Sequence, residues 1–151
     1  MNSVIVFFDG FLIAQLFIIW IHVFLNFNKL PKIIPVHFGF DGKPDNFGPK
    51  YFIFILPFFA LILYFFLGRD VKEINHYPVK ITLENKENQF FIAILAVKVI
   101  VSYVLFMFSA FQRHMINFSL NKTDKPLSFL KYLFGLFIII GFFLIISNIY
   151  K

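Results

Sequence analysis

Leu30 to Lys50 reads LPKIIPVHFGFDGKPDNFGPK and lies between two long apolar runs. Pro31, Pro35, Pro44 and Pro49 each remove a backbone donor and turn the preceding residue away from the helical region. Gly39, Gly42 and Gly48 supply the positive φ angles that tight turns need. No regular helix is expected here: Asp41-Gly42 is a strong turn dipeptide, and Lys43-Pro44-Asp45 begins a second turn. Ile33, Ile34, Val36, Phe38, Phe40 and Phe47 are too apolar for a solvated linker. Residues 28–50 are therefore expected to form an ordered Pro/Gly-rich loop lying against a membrane surface or capping helices. His37, Asp41, Asp45 and Lys50 are the polar groups such a loop would hold.

The flanking runs set the class. The chain has 151 residues, 60% hydrophobic and only 15% charged, well outside the range of soluble globular domains. Four runs, at about 4–27, 51–67, 89–111 and 127–149, are long enough to cross ~30 Å of hydrocarbon at ~1.5 Å per residue. Their apolar residues are continuous rather than alternating, which favours helices over barrel strands. The expected fold is all-α: one polytopic membrane domain over 1–151 with four transmembrane helices and the motif loop 28–50 between the first two. The N-terminal MNSVIVFFDG lacks the positive region of a secretory signal, so the first span is expected to remain in the mature protein. The implied location is the cell membrane, multi-pass, with the lipid bilayer as the first partner.

Charge and composition exclude several functions. The 14 basic residues give a net charge of +6 but are scattered through loops and helix ends, which fits membrane anchoring and not nucleic acid. Without cysteine there is no disulfide, thiolate chemistry or Cys-type zinc site. The 26 phenylalanines read as lipid-facing and packing residues. Loops one and three carry seven basic residues (Lys29, Lys32, Lys43, Lys50, Arg113, Lys122, Lys125). The other side carries five (Arg69, Lys72, Lys80, Lys86, Lys151), which favours a cytoplasmic motif loop.

Polar residues inside the apolar runs mark where the spans must find partners. Gln15, His22 and Asn26 share one face of the first span, whose start carries Asp9. Pro57 is expected to kink the second span or open its backbone ladder. In the loop of residues 68–88, Thr82 is a candidate N-cap with Glu84 in the following turn. Lys98 is the one deeply placed charge, with Ser102 a turn later on the same face. A lysine at mid-span costs ~2.5–3.5 kcal/mol to insert, so it calls either for a pairing partner or for a function. Lys131 reads as an interface anchor. Gly135 and Gly141 are six apart and do not form a GxxxG pattern.

Within the motif loop, Pro31, Ile34-Pro35, His37, Gly42, Pro44-Asp45, the aromatic Phe47, Gly48 and Lys50 resemble the signature of the N-terminal domain of unknown function of SdpI-like membrane proteins. A second segment, Tyr77-Pro78-Val79-Lys80-Ile81-Thr82 with Glu84-Asn85 and Gln89, is similar to one found in short four-span members. The two cover roughly residues 27–100. Phe47 stands where tryptophan is usual and Pro49 where a small polar residue is common, and nothing matches the C-terminal half of the longer immunity proteins. The resemblance implies an immunity or signalling role, or one not yet assigned.

His37, Asp41 and Asp45 place an imidazole and two carboxylates within nine residues, a set with the chemistry to bind a divalent metal. The alternative is that both aspartates cap their own turns and His37 bonds a loop carbonyl. No GxSxG elbow, reactive cysteine or phosphate-binding glycine loop is present, and His76 and His114 are isolated, so no enzyme and no cofactor is expected. Two readings remain. In one, the motif loop binds a peptide or protein at the membrane. In the other, Gln15, His22, Lys98 and Ser102 serve a small transporter or an accessory subunit of a membrane complex. Burying Lys98 and the polar face of the first span with only four helices also points to a homodimer.

Overall fold

The computed structural model describes residues 3–69 and 76–151; Lys72 of the second loop lies outside the described residues. The fold is mostly helical, with four helices long and apolar enough to cross a membrane: Ser3–Phe27, Lys50–Gly68, Lys86–Ser119 and Phe129–Ile149. We call the first α1, the third α3 and the fourth α4. α3 runs well past the expected residue 111.

The second helix changes pitch twice. It opens as a 3₁₀ turn over Lys50–Phe54, continues as α2 over Ile55–Leu63 and widens to a π turn over Tyr64–Gly68. Pro57 lies in the first α turn, where its missing N–H leaves the carbonyl of Ile53 without its usual partner four residues on. Of the two expected effects of Pro57, a kink or an opened backbone ladder, the second is seen here, at the junction where the 3₁₀ turn passes into α-helix.

Residues 28–50 depart from the expected loop. Ile33–Phe38 (β1) and Pro44–Pro49 (β2) form an antiparallel two-stranded hairpin, so the all-α description is corrected to a mostly helical one. The register is irregular between Pro35 and His37 and again between His37 and Phe38, where β-bulges re-aim the side chains. Prolines are tolerated because each strand has one free side, and Pro35, Pro44 and Pro49 occupy positions whose N–H would face that side and not the partner strand.

Two apolar clusters hold the layers together. Leu12, Leu16 and Ile19 of α1 pack with Ala60 and with Val101 and Leu105 of α3. The second cluster joins the hairpin to the helix ends through Ile34, with Leu30, Val23, Ile53, Met115 and Ile116. α3 stops in a left-handed cap: Asn121 has φ 53°, its N–H bonds Phe118 O at 3.0 Å, and Lys122 N–H bonds Asn117 O at 2.8 Å. α4 is peripheral, with Ser147 its one buried residue.

Candidate functional site

The hairpin is fixed at its tip, its base and its buried face. At the tip Gly42 has φ +76°, and its carbonyl accepts the Leu127 N–H at 2.7 Å, tying the turn to the connection before α4. Asp41 Oδ1 accepts the Lys43 N–H at 3.0 Å in an Asx turn, and Gly39 N–H bonds Lys43 O at 2.8 Å. At the base the Lys50 ammonium donates to Phe27 O at 3.2 Å and lies 4.4 Å over the Phe27 ring, so it caps the C-terminus of α1. Ile34 supplies the buried anchor.

His37 and Asp45 meet across the strands, with Nδ1 2.5 Å from Oδ1 and both side chains exposed. Asp41 is engaged in its own turn. Its Oδ1 and the Oδ2 of Asp45 both approach Gly39, where an added Cβ would meet them at 3.1 and 3.3 Å, a tight fit. His37 and Asp45 are therefore together, whereas the three-residue metal set is not assembled: among the described residues no group of three His, Cys, Asp or Glu is placed to hold a metal.

Beneath the hairpin lie two adjoining clefts of about 230 and 380 Å³. Both are lined by His37, Phe38, Leu127 and Phe129. The first continues over Val36 and Met115, and the second opens past Phe40 and Asp45. The walls are apolar, with the His37–Asp45 pair at the rim, the usual balance of a site that binds an apolar group and orients it by a few polar contacts. Phe40 at the tip is 96% exposed, and Phe47 is also exposed.

The polar residues of the helices are used differently. Lys98, 2% exposed, pairs with the Asp9 carboxylate and donates to Gly68 O at 3.1 Å, the carbonyl end of the second helix. One ammonium thus joins three helices and offsets a helix C-terminus. Gln15 and Ser102 bond reciprocally: Gln15 Nε2 donates to Ser102 O at 3.1 Å, and Ser102 Oγ donates to Gln15 Oε1 at 3.0 Å. Asn26 turns back on His22 O at 2.8 Å, and His22 Nε2 is buried with no hydrogen-bond partner among the described residues. Gln15, His22 and Asn26 thus lie at the expected spacing in α1, and their hydrogen bonds are separate ones.

Two further links were not singled out as such in the sequence. Gln112 Nε2 donates to Ile53 O at 2.9 Å. Gln89 Nε2 donates to Ser147 O at 2.8 Å and Tyr150 O at 2.9 Å, and Ser147 Oγ donates back to Gln89 Oε1 at 2.5 Å. A buried glutamine in an apolar helix was the available signal for both.

In the second motif Thr82 and Asn85 cap each other. Asn85 N–H bonds Thr82 Oγ1 at 3.3 Å, Thr82 N–H bonds Asn85 Oδ1 at 2.8 Å, and Asn85 Nδ2 reaches Lys80 O at 3.0 Å. Glu84 is exposed in the intervening turn. Tyr77 and Pro78 line a cleft of about 230 Å³ against α3 and α4, beside Gln89 and Ser147.

A family model described as a domain of unknown function, DUF1648, matches residues 15–61, which take in the hairpin and end before the second motif. An uncharacterized protein of Archaeoglobus fulgidus is 40% identical over 40 residues, covering 26% of this chain and 22% of that protein. No solved structure matches the chain.

Proposed function

We propose that the protein is a non-enzymatic, multi-pass protein of the cell membrane that recognises a peptide or protein at the membrane surface through the hairpin of residues 33–49. This is the role implied by the resemblance to SdpI-like immunity and signalling proteins. The observation that carries it is the apolar cleft under the hairpin, rimmed by His37 and Asp45 and flanked by the exposed Phe40. Pro44 and Pro49 leave β2 without two of its edge donors, so recognition through side chains is favoured over addition of a third strand.

The runner-up is a small transporter or accessory subunit working through Lys98 and the polar face of α1. It is placed second because Lys98, Gln15 and Ser102 already bond one another's helices. Lys98→Leu discriminates: a recognition protein keeps its function, and a transport path loses it.

The recognition reading is tested by placing a photo-crosslinking amino acid at Phe40 in one variant and at Phe134 on α4 in another, in native membranes. A discrete protein or peptide adduct at Phe40 alone, abolished by His37→Ala, supports it. Lipid adducts alone at both positions would overturn it.

A further inference from the structure

A fourth cleft, of about 360 Å³, lies between the C-terminal half of α3, residues 120–128 and the start of α4. Its character is opposite to that of the hairpin cleft. Arg113, Lys125 and Lys131 line it together with His114, Asn117 and Ser128, and no carboxylate does. None of the three cations has an ion-pair partner among the described residues; Lys131 lies 4.8 Å over the Tyr132 ring. His114 Nε2 is buried with no hydrogen-bond partner among the described residues. The 21-residue α4 begins at this cleft, and its N-cap residue Ser128 makes no side-chain capping bond, so the positive end of the helix adds to the same field. Three unpaired cations, amide and hydroxyl donors and a helix N-terminus around one hollow form an anion receptor.

We infer that this cleft binds a phosphate group, carried either by an anionic lipid headgroup or by free phosphate. Arg113 supplies the planar fork suited to two phosphate oxygens, and Lys125 and Lys131 supply point charges. Asn117 and Ser128 add neutral donors. An anionic leaflet attracts such a basic cluster when it lies at the headgroup level. The inference is independent of the hairpin reading, since it uses none of the residues of the His37–Asp45 rim.

The test uses the full chain purified in an uncharged maltoside detergent, with binding read as a saturable rise in unfolding temperature. The probes are dihexanoyl phosphatidylglycerol, dihexanoyl phosphatidylcholine and sodium phosphate. Stabilisation by phosphatidylglycerol but not by phosphate or phosphatidylcholine assigns the site to an anionic lipid. Stabilisation by phosphate as well assigns it to the phosphate group as such. In either case Arg113→Gln with Lys131→Gln weakens binding about ten- to a hundredfold, the loss expected for charge-assisted hydrogen bonds. The charge-matched pair Lys29→Gln with Lys32→Gln, outside the cleft, leaves it unchanged. If the first pair fails to fold, Lys125→Gln, on the exposed connection before α4, gives the same weakening in smaller measure. No stabilisation by any probe, or equal weakening in the two pairs, overturns the inference.

Discussion

The side-chain amide of Gln112 donates to the carbonyl of Ile53 at 2.9 Å, four residues before Pro57. The proline has no N–H to offer that carbonyl, and α3 supplies one from outside. Gln112→Leu is expected to leave a buried carbonyl unpaired and to cost about 1–3 kcal/mol in thermal unfolding. Adding Pro57→Ala returns an N–H at the right place, so the double variant recovers most of the loss. Additive losses in the double variant would show that the two residues are not coupled.

Asp9 and Lys98 offer a second test by subtraction. Asp9→Ala strands a buried ammonium that keeps only the Gly68 carbonyl, and a loss of up to about 3 kcal/mol is expected, the low end for a broken pair because Asp9 is partly exposed. Asp9→Leu with Lys98→Leu removes both charges and is expected to unfold at a higher temperature than the single variant. The opposite order would mean that the ammonium is satisfied without its carboxylate.

The two glycines of α4 are predicted to differ. A methyl group at Gly135 meets the Tyr103 hydroxyl at 2.1 Å, whereas one at Gly141 meets nothing within 4 Å. Tyr103 donates to Tyr132 O at 3.0 Å, and Gly135→Ala displaces it. Gly141→Ala only improves helix propensity, by about 0.5–1 kcal/mol. The gap between the two variants is expected to be about 0.6–1.7 kcal/mol, the size of one interhelical hydrogen bond in a membrane. Equal unfolding temperatures would refute this.

Gly42→Ala addresses the hairpin itself. The added carbon lies 2.2 Å from the Leu127 carbonyl oxygen at a φ that disfavours alanine, and backbone cannot swing aside as a side chain can. A loss above about 1 kcal/mol is expected, with faster proteolysis within residues 39–43 and 120–128. Protection equal to that of the parent at both segments would break the proposed link.

The helices were legible because continuous apolar runs of this length have few other solutions, and Lys98 because charge in such a run demands a partner. Its partner Asp9 reads in the sequence only as a polar residue near the start of the first run, since no local pattern pairs residues 89 apart. The hairpin was missed for a different reason. Pro35, Pro44 and Pro49 read as breakers of regular structure, and the bulges around His37 destroy the alternation by which a strand is recognised. The cleft beneath it depends on Leu127 and Phe129, residues nearly ninety positions away that look like ordinary entrants to a fourth helix.

α4 meets its neighbours mainly through α3, and it is bonded there at two levels, Tyr103 to Tyr132 and Gln89 to Ser147. In lipid, apolar side chains gain little by exchanging acyl tails for another helix. The fourth helix is therefore latched rather than glued. Opening the two latches would leave it held only at its N-terminal end, where Leu127 bonds Gly42, while the other three helices, bolted together by Lys98 and Gln112, keep the hairpin's base in place. The chain thus divides into a rigid frame and a stave hinged to it at one end.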